Sequence, residues 1–285
     1  MIPAAFDYVA PESVADALAA LADSEDAKVL AGGQSLLPIL RMRLNAPERV
    51  VDLGHIPQLQ GVHEDGDDIV IGAMTSYADL LAEPLVAEHA DLLRLAVSQV
   101  ADPQIRRRGT IGGALVHADP AGDIGAPILA LNAQLVIAGS GGERTVAASD
   151  FFEDLFTTAV GEDELLTAVR IPKHTGWGAA YEKFVRVSHQ WSIVAVAATV
   201  RMTGETIAEA RVGLTNMGAT PLRATATEAA LAGRAASAAA IADACALAAD
   251  GTNPPSDLNA GADYRRHLAQ ILTRRAVLAA AGRAG

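Results

Sequence analysis

RRRGTIGGALVHADPAGD, Arg106 to Asp123, is the stretch on which the reading of this chain turns. Its four glycines forbid a long regular helix, because each lacks a Cβ and loses extra backbone entropy on ordering. Within it, Gly109-Thr110-Ile111-Gly112-Gly113-Ala114 presents backbone N–H groups and a hydroxyl that can face a ligand. Asp119 and Asp123 follow. A carboxylate such as Asp123 can accept hydrogen bonds from ribose hydroxyls, although a single aspartate more often caps a helix.

Toward the N-terminus stands a second glycine pair, in AGGQSLLP from Ala31 to Pro38. The apolar run Lys28 to Ala31 reads as a strand, Gly32-Gly33 as a turn, and Gln34-Ser35-Leu36 as the entry to a helix or loop. Paired glycines let backbone approach a ligand and successive N–H groups form an anion-binding nest, to which Ser35 adds a hydroxyl. Such a pair alone is more often a plain strand-to-helix turn, and it is neither a Walker A nor a GxGxxG pattern. Two such loops, a helix-and-strand unit apart, could clamp the two phosphates of a dinucleotide.

Other residues in the same stretch allow further readings. His117, Asp119 and Asp123 could be metal ligands, but the other histidines are scattered and no HExxH or Cys/His spacing exists, so no metal site is expected. No GxSxG elbow occurs, and no serine has a histidine at a spacing that suggests a nucleophile and its base, so no catalytic residue is assigned. Arg106-Arg107-Arg108 could reach a phosphate or a partner's acidic patch, or be a solvated surface.

Around these loops the pattern alternates between strand and helix. A helix over Glu12 to Leu21, with Ser13 as its cap, opens the fold. Strands are expected at Arg49–Leu53, Ile69–Ala73, Gln134–Ala138, Glu143–Val146 and Leu165–Ile171, and the acidic run Glu64–Asp68 reads as a solvated hairpin tip. After about Gly176 three successive antiparallel strands are expected, at Tyr181–Arg186, Ile193–Met202 and Ile207–Leu214, followed by helices at Ala236–Ala249 and Tyr264–Ala280.

Of the 285 residues, 51% are hydrophobic but only 4% aromatic, so the core must be built from Ala, Val, Leu and Ile in closely approaching layers. The length suits two compact units. A net charge of -12 leaves no basic surplus for a phosphate backbone, so nucleic acid is not an expected partner. The N-terminus lacks the pattern of a signal peptide and no apolar stretch reaches about 18 residues, so a soluble, cytoplasmic chain that does not span a membrane is expected. Cys245, the one cysteine, lies in an Ala-rich amphipathic stretch and reads as a buried thiol. It cannot supply the four thiolates of a conventional iron–sulfur cluster.

Taken together, AGGQSLLP and GTIGGA resemble the AGG-x-S-L-x-P and G-T-I-G-G-N segments of the flavin subunits of the xanthine oxidase and carbon monoxide dehydrogenase family. The resemblance runs along essentially the whole chain, through IPAAFDY, VDLG-x-I at Val51–Ile56, IGAMTS at Ile71–Ser76, ADPQIR at Ala101–Arg106, LTAVRIP, YEKFVR and VGLTNMG. It implies an α+β fold: a vanillyl-alcohol-oxidase-type FAD-binding domain over residues 1–175, made of two α+β subdomains at about 1–54 and 55–175. Residues 176–285 would form a C-terminal α+β domain with a three-stranded antiparallel sheet and helices.

By the same resemblance, the FAD pyrophosphate falls on Ala31, Gly32, Gly33, Gln34 and Ser35, with Leu36 adjoining, and on Thr110, Gly112 and Gly113, with Ile111 and Ala114 in the same segment. Asp123 takes the place of a carboxylate near the FAD, and His117 lines that segment. Ile171 is placed beside the isoalloxazine with Lys183 nearby, and Trp191 would pack on the flavin face, its other reading being a buried core aromatic. The chain departs from the family pattern at Ala114, which replaces an Asn and loses a side-chain amide, at Gln34, where His is frequent, and at His189-Gln190, which replace Gly-Asp.

The function implied is that of a FAD-carrying electron-transfer subunit of a molybdenum hydroxylase, of the aerobic carbon monoxide dehydrogenase type. FAD would be non-covalent, since no His or Cys stands in a recognisable linkage position. A large subunit would hold the molybdenum cofactor, a small subunit two [2Fe-2S] clusters, and the whole would be a dimer of heterotrimers. The alternatives are a self-sufficient flavin oxidoreductase, a flavin subunit of a related N-heterocycle or aldehyde hydroxylase, and an assembly subunit without FAD.

Overall fold

The computed structural model describes residues 2–285. A first sheet holds β1 (Asp7–Val9), β2 (Ala27–Leu30) and β3 (Arg49–Asp52) in the order β1-β3-β2, parallel throughout. Parallel strands need a crossover between them: the helix Val14–Ala22, capped by Ser13, whose hydroxyl accepts the Asp16 N–H at 3.1 Å, joins β1 to β2, and the segment with the helix Leu36–Arg41 joins β2 to its neighbour β3. Ala17 and Leu21 of that helix bury against Val51, Leu53, Ile56 and Leu59. The loop Ala31–Ser35 leaves the carboxyl end of β2, the end at which parallel sheets carry ligands.

The second sheet is antiparallel. Its strands β4 (Val62–Asp65), β5 (Asp68–Gly72), β6 (Gln134–Gly139) and β7 (Gly142–Ala147) precede a small hairpin, β8 (Phe152–Asp154) and β9 (Thr157–Thr158), and are completed by β10 (Leu165–Pro172) in the order β4-β5-β10-β6-β7. Helices between β5 and β6 cover one face and give the largest core cluster, with Leu80, Leu93, Ile111 and Ile128 against Ile71, Ile137 and Val169. The acidic β4–β5 tip is more than a solvated turn. Arg170 bonds Asp65 at 2.8 Å and Asp68 at 3.0 Å, and Lys173 pairs with Glu64 at 2.7 Å.

The third sheet, β11 (Gly178–Phe184), β12 (Val194–Thr203), β13 (Thr206–Thr215) and β14 (Leu222–Arg223), is antiparallel in chain order. The three expected strands are its body, and a two-residue fourth closes the edge. Both faces are buried. Ala195 and Ala197 turn toward the central cluster, while Val194, Val196, Ala198 and Val200 pack with the long helix Ala262–Ala281. Strand alternation sends successive side chains to opposite faces, so the small Ala and Val residues permit close approach on both sides.

The expected helix over Ala236–Ala249 is corrected to a short helix, Ala242–Ala246, with a 3-10 turn after it. The first residue of the expected span and the segment just before it add to the sheet edge instead: Ala236 N–H donates to Glu205 O at 3.1 Å, and Ile207 N–H to Arg234 O at 2.8 Å. An open strand edge outcompetes the helical preference of alanine there. Among the described residues no helix is long and apolar enough to cross a membrane.

Candidate functional site

A cleft of about 590 Å³ opens where the first two sheets meet the third, lined by both glycine loops, by Leu165 and Leu166 of β10, and by Trp191 and Pro221. That volume lies in the range of small-molecule and cofactor sites, about 300–1,000 Å³.

Gly32 lies so close to the second loop that an added Cβ would sit 2.0 Å from the Arg108 carbonyl oxygen. The two loops therefore meet backbone to backbone. Gly33 has φ +74°, the left-handed region that favours glycine. The Gln34 side chain donates to Gly32 O at 2.9 Å, which stiffens the turn. Among the described residues, the N–H groups of Gly32, Gly33, Gln34 and Ser35 have no acceptor in the protein. All four residues line the cleft, with Ala31 and Leu36 beside them.

The second loop differs. Thr110 caps the helix Ile111–His117 by accepting the Gly113 N–H at 3.1 Å. Gly112 N–H donates to Ala73 O at 2.8 Å, Ile111 N–H to Thr75 O at 3.1 Å and Ala114 N–H to Thr110 O at 3.2 Å. The backbone donors expected on Gly112 and Gly113 are thus already paired, and Ile111 is buried in the core rather than facing the cleft. Gly112 is a packing position, since its Cβ would meet Ala73 O at 2.7 Å. Thr110, Gly112, Gly113 and Ala114 still form cleft wall, so this loop contributes shape and, among the described residues, a single free backbone donor, the Thr110 N–H.

Asp123 lines the cleft and is tied at the same time to the third sheet. Its carboxylate accepts from Lys183 at 2.8 Å, Tyr181 at 2.7 Å and Ser192 at 3.1 Å. Burial pushes the Asp123 carboxyl up from its ordinary value, and Lys183 pulls it back, followed by Tyr181 and Ser192. Burial, with the Asp123 charge added, also raises the Tyr181 and Tyr77 hydroxyls well above the usual range for tyrosine. Lys183 bonds Gln99 O as well, at 3.1 Å, and does not line the cleft. Asp123 is therefore a staple from the cleft wall to β11 and to the segment before β12.

Ile171 does not line the cleft. It is fully buried opposite Ile69, whereas Leu165 and Leu166, roughly 17 Å away along β10 at about 3.3 Å per residue, reach the cleft. Trp191 is 58% exposed and lines the cleft, which excludes the buried-core reading. Beside it His189, at φ +68°, bonds Ala101 O at 2.5 Å and ties this segment to the opposite wall. His117 lines the cleft against the Phe156 ring, with centroids 5.2 Å apart. Arg106 does not line the cleft, and one nitrogen of its guanidinium donates to Val100 O and Ala101 O.

Tyr181, Ser192, Met74 and Phe152 were missed by sequence reasoning. Only Tyr181 had a visible signal, since it stands two residues from Lys183 on one strand and so shares its face. Among the described residues no lysine or arginine lines the cleft, while Asp102, Asp119, Asp123 and Glu164 do. An anionic ligand must then be met by backbone N–H groups and by neutral side-chain donors such as the Ser35 hydroxyl. No group of His, Cys, Asp or Glu among the described residues could hold a metal ion.

Two family models match the chain. One, described as the FAD binding domain in molybdopterin dehydrogenase, covers residues 4–174, and the other, the CO dehydrogenase flavoprotein C-terminal domain, covers residues 179–280. The chain is 43% identical to the carbon monoxide dehydrogenase medium chain of Afipia carboxidovorans, over 100% of this chain and 99% of that one. It is 36% identical to the nicotine 6-hydroxylase medium subunit of Paenarthrobacter nicotinovorans, over 98% of each. A solved carbon monoxide dehydrogenase from Hydrogenophaga pseudoflava, in a form lacking the Mo-pyranopterin moiety, superposes with a TM-score of 0.97 at 42% identity, covering 100% of both chains.

Proposed function

Because this chain belongs to the family of flavin subunits of the molybdenum hydroxylases, we propose that it holds one non-covalent FAD in the cleft and serves as the electron exit of an aerobic carbon monoxide dehydrogenase in the cytoplasm. The observation that carries the reading is the set of unpaired N–H groups from Gly32 to Ser35 in the wall of a cleft without lysine or arginine. Four free N–H groups in succession on a glycine turn suit a pyrophosphate, whose charge they would meet without a cationic side chain. Bound FAD supplies the exchange of electrons between iron–sulfur clusters and an external acceptor.

The chain's own residues bind and orient. Gly33 and Ser35 hold the phosphates, the second loop shapes the wall beneath them, and Trp191 flanks the open side of the cleft. Asp123, through Lys183, Tyr181 and Ser192, keeps the third sheet against that wall. Residues 1–175, in subdomains of about 1–54 and 55–175, form the FAD-binding domain and residues 176–285 the C-terminal domain, a division supported by the spans of the two family models.

Cys245 is buried, its thiol pushed up to about 11 by burial, and it has no second cysteine beside it. One thiol cannot hold a four-thiolate cluster in this chain, and the family resemblance implies that the iron–sulfur relay belongs to a small partner subunit and substrate oxidation to a large molybdenum subunit, in a dimer of heterotrimers. The identity to a carbon monoxide dehydrogenase medium chain supports carbon monoxide as the substrate of the complex. Stopped-flow absorbance of FAD-depleted complex tests the arrangement. Carbon monoxide should still reduce the clusters at the normal rate, while delivery to the external acceptor is lost and returns with added FAD. Loss of cluster reduction with an intact molybdenum centre would place FAD on the input side and overturn the reading.

A further inference from the structure

The β8–β9 hairpin has two ends with different surroundings. At its foot Phe152 lines the cleft, and Val160, just beyond β9, lines it too. At its tip Leu155 and Phe156 are 54% and 52% exposed, although both are large and apolar. Phe156 also stands at φ +54°, a conformation that a bulky side chain rarely adopts and that glycine or asparagine would fill without strain. The Phe156 ring rests on His117, itself in the cleft wall, and Val116 beside it is partly exposed. Exposed apolar surface held at the expense of backbone strain marks a surface that is covered in the working protein.

The surrounding charge says what covers it. Between Arg144 and Arg170 there is no lysine or arginine, while six acids occur: Asp150, Glu153, Asp154, Glu162, Asp163 and Glu164. All but Glu164 are exposed, and Glu164 is paired with Arg144 at 2.6 Å. A second copy would bring like charge against like. A partner with an apolar centre and a basic rim fits, and permanent partners rather than transient ones bury such apolar centres. The hairpin is two or three residues tall, roughly 10 Å, so a partner on its tip lies close to anything bound in the cleft. Electron tunnelling, which falls steeply with distance, requires that closeness.

We propose that the Leu155–Phe156 tip is the docking surface for the iron–sulfur subunit, which meets it with an apolar patch ringed by basic side chains. This rests on the flavin-subunit reading above. The test variant is Leu155→Ser with Phe156→Asn, in which asparagine relieves the left-handed strain, so the thermal midpoint of the isolated chain should not fall. Its affinity for the iron–sulfur subunit, measured by titration, should drop by about tenfold or more, as at a central interface position. Independently, hydrogen exchange of amides 153–158 in the wild-type chain should slow when the iron–sulfur subunit is added. Unchanged affinity of the folded variant, or unchanged exchange in the wild type, overturns the proposal. Normal assembly with slowed delivery to the external acceptor overturns it as well, by assigning the tip to the acceptor. If the wild-type chain neither carries flavin nor binds the iron–sulfur subunit, the underlying reading fails; if it does both and so does the variant, only the docking surface fails.

Discussion

In the loop Ala31–Ser35 the N–H groups of Gly32, Gly33, Gln34 and Ser35 are unpaired, whereas in Gly109–Ala114 those of Ile111, Gly112, Gly113 and Ala114 end on Thr75 O, Ala73 O, Thr110 Oγ1 and Thr110 O. The first loop is fastened by a single side-chain bond, from Gln34 to Gly32 O. The second runs on to Asp123, whose carboxylate takes three donors from the third sheet and its neighbour. Glycine thus marks two different needs. In one loop it leaves backbone free for a ligand, and in the other it lets backbone press against backbone.

Three substitutions test that contrast. The largest effect on the fold is expected from Asp123→Asn, which leaves the nearly inaccessible Lys183 ammonium without its counter-charge. Breaking a buried pair from one side costs about 3–5 kcal/mol, and urea unfolding should show a loss of that order. A loss within a few tenths of wild type would mean that the staple is dispensable.

Gly112→Ala should come next. The new Cβ would lie 2.6 Å from the Ala73 Cβ and 2.7 Å from its carbonyl oxygen, so overpacking should lower stability by about 1–3 kcal/mol. Flavin content should follow stability rather than fall on its own. A variant of wild-type stability that lacks FAD would restore the second loop to a direct role.

Gly33→Asp should perturb the fold least, by about 1–2 kcal/mol for the left-handed backbone, because its nearest neighbours are the flexible ends of Leu37 and Leu30. FAD retention by the purified complex should nevertheless fall by about 100-fold, since an anion then stands among the free donors. Normal flavin stoichiometry in this folded variant would break the distinction between the loops.

How far this was legible in the sequence depends on the range of the signal. Strand periodicity located β5, β6, β10, β12 and β13 to within a residue or two, because alternation on a pleated surface is local. The Ser13 cap and the turn at Gly32-Gly33 are local as well. The stretch Ala236–Ala249 misled, since alanine favours a helix in isolation and the free edge of β13 is invisible from composition.

The chain's order of residues determined that there are two glycine turns, that the first is neither a Walker A nor a GxGxxG pattern, that one cysteine excludes an iron–sulfur cluster, and which family the chain resembles. All of these reside in single segments or in counts. Tertiary structure decided which N–H groups stay free, that Ile111 and Ile171 face the core, that Lys183 answers Asp123, and that Leu155 and Phe156 face solvent. A hydrogen-bond donor is available only if folding brings it no acceptor, and the acceptors here come from residues as distant as Ala73 for the Gly112 N–H and Asp123 for the Tyr181 hydroxyl.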